Sequence, residues 1–461
     1  MARSTREIRI RRQLRGFVMI WAGITFIVGA VTFIAIYVLN GQLIDNRFGG
    51  TLRNVAIPET AESVVQGVPT VVISTPTLFP TREIAVAAAV VTDPPSATAT
   101  PLPIEVTRFQ LGVQVQVSYD LMGQWMDVAA NQLSVNWVKQ QVRWEDIEPE
   151  PDNYDWVPLD IYLPAAQEQG LHVLLSVVTA PAWAREEGAD LSRHGPPANP
   201  QDYADFIAAI LERYPGMVHA VEIWNEQNLD REWTSTSGLS AEGYITLLRT
   251  AYQTIKAVDP GVIVISGALS PTGVSDGVSA WDDFVYLDQM IAAGLLNYAD
   301  CVGVHHNGIN LSPEYTWDAV PNDETAQYRG PFDNPHHSWS FRSTLQTYSS
   351  KIALGGGTQR LCVTEFGWAS AEGLDGVPQG FEFAQDNSLD DQRDFTVRAL
   401  DLMVEWDIVQ LAILWNLNYG PQAGWASDND NVPYSIIGPG FQFRPVFDAV
   451  RDWNRAYEAG F

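Results

Sequence analysis

Two glutamates in this sequence follow short apolar segments and have aromatic neighbours. Glu226 lies in EIWNEQN (222–228), and Glu365 lies in VTEFGW (363–368). A single glutamate at the end of a strand is ordinary, but two carboxyl groups in one site can carry out acid–base and nucleophilic chemistry. In glycoside hydrolysis, one carboxyl group protonates the leaving oxygen while the other attacks the sugar carbon or activates a water. The two segments therefore suggest a carbohydrate-cleaving pair.

Other polar and aromatic residues stand at the ends of further apolar segments. Indole faces suit the apolar faces of sugars, while Arg, Asn and His side chains can bond to sugar hydroxyls. The candidates of this kind are Arg143, Trp144, Trp183, Asn225, His305 and Trp415. Trp144 and Trp183 could equally belong to the hydrophobic core, whereas Trp415 stands beside Asn416 at a predicted strand end.

These residues need a scaffold, and the sequence predicts one from its alternation of strands and helices. Eight apolar, β-branched runs predict strands at 109–117, 135–144, 172–178, 220–224, 262–269, 301–306, 361–366 and 411–417. Segments with helical spacing follow some of them, at 199–214, 240–258, 391–406 and 443–459. Eight strand–helix units predict an α/β fold of the (β/α)8 TIM barrel type, whose functional residues lie at the carboxyl ends of the strands. A doubly wound open sheet remains the alternative.

The amino-terminal segment predicts a membrane anchor. Residues 1–16 are basic, and residues 17–39 form an apolar run without a charge. As a helix this run would be about 35 Å long at about 1.5 Å per residue, which is enough to cross a bilayer. The run is longer than the apolar core of a cleaved signal peptide. Because arginines favour the cytoplasmic side, residues 1–16 are predicted to be a cytoplasmic tail of a single-pass protein of the cell membrane.

The region after the anchor changes composition before the barrel begins. Residues 40–105 are rich in Pro, Thr, Ser and Ala, as in STPTLFPTREIAVAAAVVTDPPSATATPLP, which is typical of an extended linker. Residues 106–461 then hold the predicted barrel. The linker and the barrel are both expected on the extracytoplasmic side.

Composition excludes several functions. The chain has 461 residues and a net charge of −28, which argues against nucleic acid as a partner. No C-x-x-C or H-E-x-x-H pattern is present, so no metal and no cofactor are predicted. The two cysteines, Cys301 and Cys362, lie on neighbouring predicted strands and are most simply buried thiols, although a disulfide is possible outside the cell.

Two further motifs have simpler interpretations. GVSDG (273–277) matches the G-x-S-x-G elbow of serine hydrolases, but an elbow joins a strand directly to a helix, and SPT intervenes here. A Ser275 esterase is thus a minor alternative. SDNDN (427–431) carries acidic residues that could hold calcium, yet it lacks the glycine and the distal glutamate of an EF-hand loop. A solvated acidic loop is the simpler interpretation.

Three motifs also give the chain a resemblance to a known group of enzymes. They are RWEDIEPEPDNYDW (143–156), EIWNEQN and VTEFGW. Over about residues 105 to 461 the chain resembles the retaining glycoside hydrolases of clan A, and its motifs are most similar to those of families 39 and 5. These families include β-xylosidases, exopolysaccharide glycosidases and cellulase-like enzymes.

The resemblance implies a role for each matching residue. Glu226 would be the acid/base after strand four, and Glu365 the nucleophile after strand seven. Asn225 would bind the sugar 2-hydroxyl, Arg143 would support the nucleophile, and Trp415 would form the floor of the −1 subsite.

The sequence departs from the family pattern at two places. Gln227 replaces a proline that often follows the acid/base. The family pattern His-x-Tyr falls on His305 and Asn307, so the tyrosine that usually steadies the nucleophile is missing there. Tyr315, in the following loop, could replace it.

Together these features predict a membrane-anchored, extracytoplasmic retaining glycosidase that acts on a β-linked oligo- or polysaccharide. The alternative from another class is a cell-surface barrel that binds glycans without cleaving them. The intact glutamate pair favours the enzyme.

Overall fold

The structure, a computed structural model, describes residues 108–321 and 335–460. The predicted cytoplasmic tail (1–16), transmembrane helix (17–39) and linker (40–105) lie outside these residues. Within the described ranges, no helix combines the length and the apolar character needed to cross a membrane.

Eight parallel strands form the centre of the domain. They are β1 (Gln110–Gln114), β2 (Trp137–Arg143), β3 (His172–Val178), β4 (Ala220–Ile223), β5 (Ile263–Ser266), β6 (Val302–Gly308), β7 (Leu361–Trp368) and β8 (Val409–Leu414). Each predicted strand corresponds to one of these. The order in the sheet is β5-β4-β3-β2-β1-β8-β7-β6. Parallel bridges from Ile265 to Cys301 and from Leu269 to Val304 join the two edges of the sheet. The sheet therefore closes as a barrel, and the open-sheet alternative is wrong.

Helices surround this barrel. They are α1 (Met122–Asp127), α2 (Trp144–Ile147), α3 (Val157–Glu168), α4 (Pro200–Arg213), α5 (Ala241–Val258), α6 (Asp283–Ala292), α7 (Phe341–Leu354), α8 (Leu389–Trp406), α9 (Tyr419–Gln422) and α10 (Pro445–Glu458). The four predicted helices correspond to α4, α5, α8 and α10. Their amino-terminal signals are local: Asn199 and Ser240 cap α4 and α5, and Ser388 with Asp391 forms a capping box on α8. A two-stranded antiparallel ribbon, β9 (Ile437–Gly438) and β10 (Gln442–Phe443), precedes α10.

The strands bury side chains on both faces, because one face packs on the helices and the other fills the barrel. A large apolar cluster lies between strands and helices. A separate apolar cluster contains Trp137, Leu174, Ala220, Ile265 and Ile413. Two residues after Trp137, Leu174 and Ala220, the strands β2, β3 and β4 carry the polar residues Lys139, Ser176 and Glu222. Since strand side chains alternate with a period of two, each of these residues lies on the same strand face as the apolar residue before it. The barrel thus carries a polar layer next to its apolar layer.

The cysteines differ from the expectation. Cys301 and Cys362 are joined in a disulfide, with their Cα atoms 5.8 Å apart, so the prediction of buried thiols is wrong. Cys301 directly precedes β6, and Cys362 lies on the neighbouring β7. Adjacent parallel strands hold these two positions within the Cα distance that a disulfide requires. The bridge ties together the two strands that carry His305 and Glu365.

Candidate active site

Glu226 lies in a tight loop after β4. Trp224 and Glu226 both have positive φ angles, 75° and 47°, which non-glycine residues rarely adopt without support. The backbone N–H of Glu226 donates to the carbonyl of Ala268 at 2.8 Å. A Cβ at Gly267 would lie 2.6 Å from the carbonyl oxygen of Ile223, so only glycine lets the two loops approach so closely.

Side chains of the same loop secure this conformation. Gln227 is fully buried, and its amide donates to the Gly267 carbonyl at 2.8 Å. Asn228 donates to the carbonyls of Ser270 and Trp281, each at 2.9 Å. Gln227, which stands where a proline often occurs in the resembling families, therefore has a specific structural role here.

His305 brings the two glutamates together. Strand β6 places His305 opposite Glu365 on β7, next to an irregularity in the register between Val304 and His305. Its Nδ1 lies 3.3 Å from Glu226 Oε1, and its Nε2 lies 3.8 Å from Glu365 Oε1. The ring is only 1% exposed. One buried imidazole thus contacts both predicted catalytic carboxyl groups.

Lys139, on β2, is the cation that contacts Glu365. Its Nζ lies 3.1 Å from Glu365 Oε1 and 3.2 Å from Glu222 Oε2, and the side chain is fully buried. Burial acts to lower the pKa of Lys139, but the charges of Glu222 and Glu365 raise it above its ordinary value. Lys139 is therefore held as an ammonium ion at the base of the site.

Glu222, on β4, completes this polar layer. Its Oε1 accepts from the Thr364 hydroxyl at 2.6 Å and from the Ala268 N–H at 3.2 Å. Burial favours the neutral acid, yet Lys139, His305 and Thr364 lower the pKa of Glu222 below its usual value. Sequence reasoning missed Lys139 and Glu222. The available signal was a charged residue in the interior of a predicted strand.

Arg231 contacts the predicted acid/base from the solvent side. Its Nη2 lies 2.8 Å from Glu226 Oε2, and its Nε lies 3.6 Å from Glu232 Oε1. The Arg231 side chain is 64% exposed, so it contacts Glu226 from the mouth of the site. Sequence reasoning missed Arg231 and Glu232 as well.

These contacts determine where protons reside. Burial opposes ionisation of Glu226, but His305 and Arg231 outweigh it and lower the pKa of Glu226 to about 2. Burial acts against a charged imidazole, yet Glu365 and the hydrogen bond to Glu226 raise the pKa of His305. Burial and the charge of Glu226 raise the pKa of Glu232 to about 7. In the free protein, the proton shared by His305 and Glu226 therefore belongs to His305.

Two cavities adjoin the glutamate pair. The larger has a volume of about 400 Å³, and Glu226, Glu365, Asn225, Arg143 and Trp415 are among its lining residues. The smaller, about 190 Å³, is lined by Glu226, His305 and the aromatic residues Trp339, Phe381, Phe383 and Tyr434. Asn225 is 7% exposed, and its Oδ1 has no hydrogen-bond partner among the described residues. A polyhydroxylated ligand in the larger cavity would provide one.

Comparisons with known proteins find similar barrels among glycoside hydrolases. A model of the β-galactosidase family of glycoside hydrolases, family 42, matches residues 125–205. A family 39 glycoside hydrolase from Bacteroides cellulosilyticus WH2 has a similar structure, with a TM-score of 0.53 and 18% identity over 75% of this chain. This chain spans 63% of that enzyme's length. The barrel therefore has the same fold as these glycoside hydrolases.

Further structures support the clan A fold, and the recognition made from the sequence is confirmed. A glucosidase from Croceicoccus marinus matches with a TM-score of 0.53 and 15% identity, over 77% of this chain and 69% of its own. The β-glycosidase BGL167 matches with a TM-score of 0.53 and 14% identity, over 76% of this chain and 96% of its own. A search of curated protein sequences found no match.

Several residues occupy other places in this clan A barrel than the resemblance implied. Arg143 lines the larger cavity, but its guanidinium bonds to Glu145 and to Asp146, the latter at 3.2 Å. The contact to Glu365 that was expected from Arg143 is made by Lys139. Arg143, at the end of β2, thus contacts the acidic residues that follow it in the chain. Lys139, inside the barrel, contacts Glu365, the predicted nucleophile.

Trp144 belongs to the core rather than to the sugar-binding surface. It is 0% exposed, its indole N–H donates to Glu148 at 2.7 Å, and its ring stacks on Phe206. Trp183 packs edge-on against Trp144 and donates to the Glu148 carbonyl at 3.0 Å. Their positions near strand ends suggested a sugar contact, but their side chains point toward the helices.

Trp415 and the remaining candidates have clear positions. Trp415 lines the larger cavity with Glu365 and packs on Tyr419, with ring centroids 4.9 Å apart; the Trp415–Asn416 peptide bond is cis. Tyr315 is 40% exposed and lines neither of the two cavities, so it does not replace the missing tyrosine. Ser275 lies in the connection between β5 and α6 and accepts from the Asp282 N–H, so it does not occupy an elbow.

Proposed function

We propose that this protein is a retaining glycosidase that hydrolyses a β-linked glycan by double displacement, with Glu226 as acid/base and Glu365 as nucleophile. The observation that carries the proposal is the contact of both carboxyl groups, which line the larger cavity, with the single imidazole of His305. In a retaining enzyme the two carboxyl groups stand about 5–5.5 Å apart, without room for a water between them. The choice of this class rests on the resemblance of EIWNEQN and VTEFGW to the retaining hydrolases of clan A.

In the first step, the Glu365 carboxylate forms a bond to the anomeric carbon while the bond to the leaving oxygen breaks. Lys139 and its partner Glu222 hold Glu365 from inside the barrel, so that the carboxylate faces the cavity. Such fixed polar groups act without reorganising during the reaction. In the second step, Glu226 takes a proton from the water that hydrolyses the glycosyl-enzyme.

The leaving oxygen requires a proton from Glu226, and His305 supplies it. His305 Nδ1 lies 3.3 Å from Glu226 Oε1, so a proton on this nitrogen can pass to the carboxylate. Transfer along this contact leaves a neutral imidazole and a neutral carboxylic acid, which is the form of Glu226 that can donate. A substrate that displaces Arg231 from Glu226 favours this transfer, because the carboxylate then loses a cationic neighbour.

The substrate is a glycan with several contacts in the cavity. Trp415 offers a face for a sugar ring, and the unpartnered Oδ1 of Asn225 accepts from a hydroxyl. The smaller, aromatic cavity, which shares Glu226, Phe381 and Tyr434 with the larger one, gives a place for the sugar beyond the cleaved bond.

The proposed location is the outer face of a cell membrane, with residues 17–39 as the anchor. The basic flank and the uncharged apolar run in the sequence support this orientation. The Cys301–Cys362 disulfide also supports it, since disulfides persist mainly in oxidising, extracytoplasmic compartments.

A non-catalytic glycan-binding barrel is the second candidate. The observation that favours it is the ion pair of Glu226 with Arg231 at 2.8 Å, which lowers the pKa of this carboxyl group, since an ionised carboxylate cannot protonate a leaving oxygen. The glycosidase would cleave a glycan substrate, whereas the binding barrel would bind the glycan without cleaving it.

Aryl β-glycosides and a panel of β-glycans test the proposal. Glu365→Ala should lose all activity, because no glycosyl-enzyme can form. Glu226→Ala should retain the first step on aryl glycosides whose leaving groups need no proton, and added azide should yield a β-glycosyl azide. Glu168→Ala is the matched control, because Glu168 is exposed at the end of α3. Glycan binding by the wild-type protein without turnover on any substrate would instead support the binding barrel.

A further inference from the structure

Two histidines and two aspartates meet near the active-site face, outside the catalytic pair. Asp282 and Asp283 begin α6, and His336 and His337 lie just before α7. We propose that Asp282, His336 and His337 form a binding site for a transition-metal dication, for which Zn²⁺ is the best fit.

The three donor atoms already converge. Asp282 Oδ2 lies 3.5 Å from His336 Nε2 and 3.3 Å from His337 Nε2, and the three atoms lie within 4.8 Å of one another. Zn²⁺ binds nitrogen and oxygen ligands at about 2.0–2.2 Å in tetrahedral geometry, so neighbouring ligand atoms stand about 3.3–3.5 Å apart. The two Asp282 distances match the edges of such a tetrahedron.

The Asp282 carboxylate is oriented for this role. Its Oδ1 caps α6 and accepts from the N–H groups of Phe284 and Val285 at 3.0 and 3.2 Å. Oδ2 is thereby directed at the two imidazoles. Ligands held by such outer hydrogen bonds are typical of metal sites.

Asp283 adds a second negative charge. It is fully buried, its Oδ1 lies 2.9 Å from His337 Nε2, and its Oδ2 accepts from the Tyr348 hydroxyl at 3.1 Å. Within residues 108–321 and 335–460, the ion pairs of Asp282 and Asp283 involve only these two histidines. Metal binding at His337 Nε2 would displace the proton that this nitrogen shares with Asp283, and the contact of Asp283 with that proton would be replaced by its attraction to the dication.

The donor set selects the metal. Two imidazole nitrogens and a carboxylate suit Zn²⁺ and related transition metals, whereas Ca²⁺ and Mg²⁺ prefer oxygen ligands alone. Metal binding at His336 Nε2 requires the proton on Nδ1, which lies 2.9 Å from the Ser338 hydroxyl. That nitrogen also lies 3.2 Å from the Ser338 N–H, so metal binding would exchange this bond for the one to the hydroxyl.

The site would tie the long connection between β6 and α7 to the start of α6. Ser338 and Trp339 directly follow the two histidines and line the smaller cavity beside Glu226. A bound metal would thereby stabilise one wall of that cavity. The sequence showed no local metal motif because the ligands come from two distant loops.

Metal analysis of the untagged full chain tests the proposal. After chelator treatment and dialysis, ZnCl₂ is titrated by calorimetry, and bound zinc is counted by elemental analysis. We expect one zinc per chain and a higher melting temperature with zinc. Asp282→Asn and His336→Gln should each lower the zinc affinity at least tenfold. His305→Gln is the matched control and should retain one zinc, because it removes the imidazole of the catalytic cluster instead.

Cobalt provides a measurement that does not depend on the folding of any variant. Co²⁺ added to the metal-free wild-type protein should give the strong visible absorption of a tetrahedral nitrogen–oxygen site, and Zn²⁺ should abolish it. Absence of zinc binding by the wild-type protein would overturn the proposal. Unchanged zinc stoichiometry and affinity in a folded Asp282→Asn, or loss of zinc in a folded His305→Gln, would also overturn it.

Discussion

At the scale of single residues, Glu226 is held as an anion more firmly than a general acid normally is. His305 and Arg231 both contact it, at 3.3 and 2.8 Å. The groups that face this carboxyl and its neighbours are His305, Arg231, Glu232, Glu365, Arg143, His194 and Asp430. Arg231 is the exposed member that can move when a substrate binds.

Arg231→Met should shift the pH profile to higher pH. Removing the guanidinium removes a charge that favours the carboxylate, so the pKa of Glu226 rises and its acid form persists to higher pH. We expect the alkaline limb of kcat/KM to move upward by about one pH unit, as measured on a glycoside whose leaving group needs a proton. Arg193→Met is the control, because Arg193 pairs with Asp230 at 2.6 Å and contacts neither glutamate of the pair. An unshifted limb in Arg231→Met would show that Arg231 does not control the protonation of Glu226.

Lys139→Met should cost both stability and activity. It leaves the buried carboxylate of Glu222 without its cation, and breaking such a pair costs about 3–5 kcal/mol. The double variant Lys139→Met/Glu222→Gln should recover much of the stability in urea unfolding, since no unpaired charge remains at Glu222. Its kcat should stay low, because Glu365 still lacks its cation. Full activity in the double variant would show that Lys139 only neutralises Glu222 and that its contact with Glu365 is not needed for turnover.

Trp415→Ala should weaken turnover strongly while the fold remains nearly intact. The indole lines the cavity beside Glu365 and is only partly buried. Trp317→Ala is the control, because Trp317 is 44% exposed and lines neither cavity. Comparison of kcat/KM and melting temperature separates the two roles: a variant that is less stable but equally active per folded molecule would assign Trp415 to the core.

At the scale of elements, β6 and β7 form the most constrained pair in the barrel. They carry His305 and Glu365 in register, and the disulfide joins them at the opposite end. Both cysteines are fully buried within the apolar cluster that fills the barrel. The bridge therefore stabilises the scaffold without touching the cavity.

Replacing both cysteines by serine should lower stability but leave the chemistry intact. The bridge spans a sequence separation of 61, and removing a cross-link of this kind typically costs about 2–4 kcal/mol. We expect that decrease in the free energy of unfolding, with kcat per folded molecule close to wild type. Unchanged unfolding of the double-serine variant relative to the oxidised wild type would contradict the presence of the bridge in solution.

At the scale of the whole molecule, the sequence predicted the architecture better than the site. Each strand was visible because most of its residues are buried and apolar residues recur along it. Glu226, Asn225 and Glu365 could be proposed from the sequence because their motifs are local. Lys139 and Arg231 were missed because their partners lie on other strands or loops. Trp144 was misplaced because a position near a strand end does not tell which way a side chain points.

The prediction of an external, anchored domain belongs to the same scale. Protease added to intact cells should cut within the Pro/Thr-rich linker (40–105) and release an active soluble barrel. The control is a variant with Arg-to-Ser changes in residues 1–16, which weakens the charge asymmetry that orients the anchor. Protection of the wild-type domain until the membrane is opened would show that the orientation is reversed.

Gly267 has a consequence for how this protein would behave in a mutational screen. A side chain there would collide with the Ile223 carbonyl at 2.6 Å and with the Gln227 side chain at 2.5 Å, and Glu226 would be displaced. Every substitution at position 267 should therefore score as inactive, much like substitutions of Glu365. A screen that ranks positions by the loss of turnover would thus group Gly267 with the catalytic residues, although Gly267 does not contact the substrate. A separate measurement of the amount of folded protein in each variant would show whether the loss of turnover comes from the displaced loop or from unfolding.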